Sequence, residues 1–236
     1  MRFHLLLLAA ILSAPPAVAL HTRPDRDDSE YLELASRYRA AVKLPSALGE
    51  GVLVGPRWVL TAPAPAQLLR AITPMPAFTI GGRDYPIESI HVGEDLGLVL
   101  LSAPVAGIEP VTVYRASDEK GKGVAIVGHG PAGPIGGAAK ADDKARAALN
   151  TIDAVSAGTF EVRIKSGDDA SDLQGALSPA EVGAPAFITT DAGVIHVAGI
   201  ARSADGKREI YTRVSARTDW IESTMWEAAK KEAAKK

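Results

Sequence analysis

Asp95, the histidines His91, His129 and His196, and Ser178 are side chains of the types that support nucleophilic catalysis. In that chemistry a hydroxyl attacks a carbonyl, an imidazole carries the proton, and a carboxylate fixes the imidazole's tautomer. The spacing does not assemble such a relay. His91 ends a β-type run four residues before Asp95, and His129 and His196 lie in β-type runs where single histidines are structural or exposed. Ser178 precedes Pro179 and reads as a turn residue.

Other chemistries find weaker footing. Gly128-His-Gly-Pro-Ala-Gly133 follows the apolar run Val124–Val127, with Asp153 about 20 residues further on, which satisfies the spacing of a dinucleotide fingerprint. Pro131, Pro134, Gly136 and Gly137 oppose the helix that must follow it, so the pattern is set aside. Asp142-Asp143 and Asp168-Asp169 read as solvated loop charges without the regular ligand spacing of a calcium loop. Cysteine is absent and no HExxH occurs, so no zinc pattern exists, and no cofactor is expected.

The elements available to position these groups are mostly short strands. From Gly51 onward, runs punctuated by Gly and Pro predict strands at Val52–Val54, Trp58–Leu60, Phe78–Ile80, Ile87–Val92, Leu96–Leu101 and Val111–Tyr114. A second series covers Val124–Val127, Phe160–Ile164, Ala186–Thr190, Val194–Ile200 and Ile210–Val214, with a weak boundary at Arg115–Lys122. Many short strands with regular turn signals predict an all-β sandwich or barrel architecture. Ahead of them, Tyr31, Leu34 and Tyr38 recur at helical spacing, as a short helix or an arm. Behind them, Trp220, Ile221, Thr224 and Met225 share one face of a terminal helix that runs into a Lys-rich, solvated tip.

Composition bounds what remains. The chain has 236 residues, 47% of them hydrophobic, and a formal net charge of −2, so it carries no basic excess for nucleic acid. Arg2, the apolar run Leu5–Leu12 and the small-residue site Ala17-Val18-Ala19 read as a cleavable signal peptide over residues 1–19. The apolar run is far shorter than the ~20 residues a membrane span needs, so no stable membrane anchor is expected. An exported fold without cysteine is held by core packing alone.

Five segments then combine. They are Gly51-Val-Leu-Val-Gly-Pro-Arg-Trp-Val-Leu-Thr-Ala62, Asp95-Leu-Gly-Leu-Val-Leu-Leu101, Ser178-Pro-Ala-Glu-Val-Gly-Ala-Pro-Ala-Phe187, Val197-Ala-Gly-Ile200 and Tyr211-Thr-Arg-Val-Ser215. In order and spacing they resemble the trypsin/chymotrypsin-like serine proteases, in particular their bacterial secreted members. The resemblance implies two antiparallel six-stranded β-barrels packed side by side, at about 20–114 and 115–214, then a C-terminal helix from about 216 and a Lys/Ala-rich tail at 227–236.

It also implies that the chemistry is gone. The family's His position is Ala64 and its Ser position is Val182, while its Asp position is kept as Asp95. A methyl group accepts no proton and an isopropyl group is no nucleophile, so Asp95 is expected to accept local backbone hydrogen bonds instead. Ala180 and Val182 take the oxyanion-hole positions, with Ala180 and Ala184 where the family has Gly, and Ala176 takes the pocket floor. Glu181 stands where a family Asp pairs with the freed N-terminus, which signal cleavage would make Leu20. The expectation is an exported, periplasmic or secreted pseudoprotease that binds a peptide, a protease or another exported protein. Residual or unconventional hydrolase activity, or a degenerating copy without a selected role, are the alternatives.

Overall fold

The computed structural model describes residues 20–134 and 142–234. The expected signal peptide, Gly136 and Gly137, and the last two lysines lie outside the described residues.

Strand β1 (Leu20–Thr22) leads into helix α1 (Asp28–Ala35), at whose start Glu30 accepts the Asp27 N–H at 3.1 Å. Tyr31 and Leu34 are buried, as their helical spacing requires, but the helix ends at Ala35 and the chain turns into strand β2 (Ala41–Lys43). Strands β3 (Glu50–Gly55) and β4 (Trp58–Thr61) follow, then a helix absent from the sequence reading, α2 (Pro63–Ala71). Pro63 and Pro65 fall in its first turn, where the missing N–H groups would have had no helical partner. The half is completed by β5 (Phe78–Ile80), β6 (Arg83–Tyr85), β7 (Ile87–Val92), β8 (Gly97–Leu101) and β9 (Thr112–Val113).

The second half carries β10 (Gly123–Gly128), β11 (Gly133–Pro134), β12 (Arg146–Val155), β13 (Thr159–Arg163), β14 (Gly175–Leu177), β15 (Pro185–Thr189), β16 (Ile195–Ala204) and β17 (Arg208–Arg213). Six of these form a closed antiparallel barrel in the order β15-β10-β12-β13-β17-β16, sealed by the pairing of β16 with β15. Its core holds Ile126, Val162 and Ala198, with the Phe160 and Tyr211 rings stacked at 4.9 Å between centroids. Strand β9 extends this sheet by pairing with β16, and β1 lies between β11 and β14 in a small separate sheet.

The first half departs from the barrel expected at about 20–114. It forms an open sheet, β2-β3-β4-β8-β7, with β5 and β6 set apart as a two-stranded hairpin. The physical reason lies in the segment that would have to bridge β7 back to β2. Pro74, Pro76 and Pro86 remove backbone donors, and Gly81-Gly82 turn the chain after only three residues of β5, so the hairpin is too short to close the ladder.

Both halves nevertheless share apolar packing. Leu53, Val59 and Leu98 of the open sheet belong to one cluster with Phe187, Val197 and Val214, and Tyr38 stacks on Phe187 at 5.0 Å. Helix α3 (Thr218–Ala233) buries Ile221 in the same cluster and lays the Trp220 ring against Gly93, where a Cβ would come within 2.7 Å of it. The helix therefore continues through most of the expected tail, its last turn carrying Lys230 and Lys231. No helix among the described residues is long and apolar enough to cross a membrane.

Candidate functional site

Three segments meet where the open sheet abuts the barrel. Gly97, at the start of β8, faces α2 so closely that a Cβ on it would lie 2.5 Å from the Ala66 methyl and 3.1 Å from the Ala62 carbonyl. Gly49, just before β3, would bring a Cβ within 2.4 Å of the Val182 carbonyl and 3.1 Å of Pro65 Cγ. The Glu50 N–H donates to that Val182 carbonyl at 3.0 Å. The helix bearing Ala64, the strand following Asp95 and the loop bearing Val182 are thus drawn together by backbone contacts that only glycine permits at these points. Ala64 is exposed and Val182 half-buried, and both present hydrocarbon alone.

Among the described residues the Asp95 carboxylate is bonded by side chains and not by the backbone donors expected for it. Arg202, on β16, donates to Oδ1 from Nη1 at 3.2 Å. Arg217, in the turn before α3, donates to Oδ2 from Nε at 2.7 Å and also from Nη2. The Asp95 side chain is only 10% exposed, and a carboxylate at that depth needs charge compensation, which two guanidinium forks supply. Asp95 also offers its carbonyl to the Thr212 hydroxyl at 3.1 Å.

The loop at 178–184 is held by its own bonds. The Glu181 N–H donates to the Ser178 carbonyl at 3.1 Å, closing the turn expected at Ser178. The Ala180 N–H donates to Ser178 Oγ at 3.2 Å, so one of the two donors assigned to the oxyanion hole is already engaged. Gly183 adopts φ +93°, and a Cβ there would lie 2.2 Å from the Glu50 carbonyl and 2.5 Å from Thr61 Oγ1. Ala176 is fully buried in β14, opposite His21 of β1.

Under this loop lie buried carboxylates. Glu181 accepts the Ser178 N–H on Oε2 at 2.9 Å, while its Oε1 accepts no hydrogen bond among the described residues. Burial, with the neighbouring Glu50 charge adding to it, pushes the Glu181 carboxyl well up from its usual range. Glu209 accepts the Leu177 N–H at 2.5 Å and the Tyr211 hydroxyl at 2.6 Å, and burial pushes its carboxyl up to about 7. Leu20 is 1% exposed and pairs with Leu177, one residue from the N–H that holds Glu181.

The histidines have local partners. His91 Nε2 lies 3.0 Å from Ser89 Oγ, and His196 Nδ1 lies 2.7 Å from Thr112 Oγ1. His129 is gripped by Glu50, which accepts its N–H at 3.1 Å and meets Nδ1 at 2.7 Å. None of the three hydrogen-bonds Asp95. Sequence reasoning missed Arg202, Arg217 and Glu50, whose partners are far away in the chain, and Glu209, which joins its neighbour Tyr211 to the distant Leu177. The available signal was weak: for Glu50, Arg202 and Glu209, charged residues standing inside strands, and for Arg217 none. Among the described residues no group of three or more His, Asp or Glu side chains is placed to hold a metal ion. No protein-family model matches the chain, and no curated protein matches it.

Proposed function

We propose that this chain is an exported, catalytically inactive homologue of the trypsin-like serine proteases, in which the first barrel has opened and the protein works by binding a peptide or protein segment. The observation that carries this reading is the closure of Asp95 by Arg202 and Arg217. A carboxylate that orients a catalytic imidazole must leave an oxygen free for it, and here both oxygens face cations. With hydrocarbon at Ala64 and Val182, neither proton transfer nor nucleophilic attack has a group to perform it.

The same reading gives the orphaned Glu181 oxygen a partner. Cleavage after Ala19 would leave an ammonium on Leu20, beside Leu177 and thus close to the Ser178–Glu181 turn. An ion pair there would hold the loop in shape without any activating protease.

The test uses the purified mature protein on casein and on an ester substrate, next to Asp95→Ala, with a fluorophosphonate probe for nucleophilic serine. No turnover and no labelling are expected. Hydrolysis that Asp95→Ala abolishes would favour a residual hydrolase, and mass spectrometry giving a mature N-terminus other than Leu20 would remove the Glu181 pairing.

A further inference from the structure

The open sheet ends on one side at β2, and β5 pairs only with β6, so each strand has a free edge among the described residues. The register says which groups line those edges. Leu53 donates to the Ala40 carbonyl and Leu44 to the Gly49 carbonyl, with Val42 opposite Gly51, so Ala40, Val42 and Leu44 face β3. Alternation along the strand then turns the Ala41 carbonyl and the Lys43 N–H to the free side. In the hairpin, Gly81-Gly82 form a two-residue turn that pairs Ile80 with Arg83, which turns both backbone groups of Thr79 outward.

Between these edges lies a cavity of about 680 Å³, lined by Ala41, Val42 and Lys43 on one side and Thr79, Ile80 and Gly81 on the other. Leu32, Ala35, Tyr38 and Ile108 give its wall an apolar part, beside the polar His129 and Asp143. Tyr38, Arg39 and Ile108 also line an adjoining cavity of about 360 Å³, so the space continues as a groove. Arg39 is exposed at the junction and has no side-chain partner among the described residues, and the exposed Arg37 in the second cavity has none either. Lys43 is held by Asp143 in an exposed pair at 2.5 Å, and Glu109 is the carboxylate lining the second cavity.

We infer that the space between β2 and β5 is a docking slot for an extended peptide segment of a partner protein, with an acidic end that meets Arg39. The segment adds a strand to β2, its backbone pairing with the Ala41 carbonyl and the Lys43 N–H, while alternate side chains meet the apolar part of the wall. The free cation at the groove junction selects the acidic end. This inference rests on the reading of the chain as a binder and names the place and the chemistry of the bound segment.

The probe is a fluorescein-labelled peptide of alternating valine and threonine led by two glutamates, titrated with mature protein and followed by fluorescence anisotropy. Its counterparts carry two lysines in place of the glutamates, or N-methyl groups on the alternate amides that would pair with β2. Saturable binding is expected for the acidic peptide, with each counterpart weaker by about tenfold or more. Arg39→Glu, at an exposed position, is expected to invert the preference between glutamate and lysine while the thermal midpoint stays unchanged. No saturation of any peptide below about 1 mM overturns the slot. Saturable binding indifferent to N-methylation and to Arg39→Glu also overturns it, yet leaves the binder reading standing. Concentration-dependent dimerisation that Arg39→Glu abolishes would assign the slot to a second copy of this chain and overturn the partner segment. Cleavage of the peptide during the titration would instead sink the inactive reading and leave the slot.

Discussion

Arg217 donates to Asp95 Oδ2 from Nε at 2.7 Å, across 122 residues of sequence, and it occupies the carboxylate that the family resemblance assigns to a catalytic imidazole. Asp95→Ala would strand two guanidiniums, one of them only 34% exposed at its side chain. A loss of about 1–3 kcal/mol is expected, smaller than for a fully buried pair because both arginines reach solvent. Urea denaturation checks it, and Asp95→Asn, which keeps an acceptor oxygen, should fall between the two.

Installing the imidazole and hydroxyl that the family resemblance calls for should not create activity. In Ala64→His with Val182→Ser, Asp95 would still face Arg202 and Arg217, and the Ala180 N–H would still be spent on Ser178 Oγ. The double variant is expected to hydrolyse a p-nitrophenyl ester no faster than the parent protein and to resist fluorophosphonate labelling. Removing Arg217 as well, by Arg217→Ala, is the variant in which measurable labelling would first arise.

Glu209 sets a pH dependence. Its carboxyl is raised by burial to about 7 in the folded state, from an ordinary value of 4.5, so between those values the folded chain holds a proton that the unfolded chain has lost. This group's contribution is therefore fully favourable below about pH 4.5 and is lost as pH rises toward 7. Tyr211 and Asp205 face the same carboxyl, the first as a hydrogen-bond donor and the second as a like charge. Thermal melts from pH 5 to 8 should show stability falling with pH, and Glu209→Gln should flatten that fall, its amide still able to accept from Leu177 and to donate to the Tyr211 oxygen. An unchanged slope in the variant would assign the dependence elsewhere.

The position of the N-terminus is also open to measurement. A chain beginning at Leu20 should melt higher at pH 7 than one with a single extra glycine ahead of it, because the extension carries the ammonium past Glu181. Glu181→Gln should abolish the difference between the two chains. Equal melting of the two wild-type forms would mean that the orphaned Oε1 is satisfied some other way.

Residue types alone show that Ala64 and Val182 offer hydrocarbon, with no imidazole or hydroxyl in any fold. They also placed most strands, among them Trp58–Thr61, Ile87–Val92 and Pro185–Thr189, and the terminal helix, because apolar runs between Gly and Pro and a one-sided helical face are local signals. The long barrel strand Arg146–Val155 escaped notice, for Ala147, Ala148 and the buried Asn150 make a weak apolar pattern. Helix α2 escaped too, because two prolines within three residues read as a break when they are first-turn residues.

Tertiary structure decided the rest. Whether a sheet closes depends on hydrogen bonds between edges distant in sequence, and no local pattern reports that β2 and β5 do not pair with each other. The fate of Asp95 depends on Arg202 and Arg217, at separations of 107 and 122 residues, and that of His129 on Glu50, at 79. A charge pair is fixed by distance and burial, which exist only once the chain has packed.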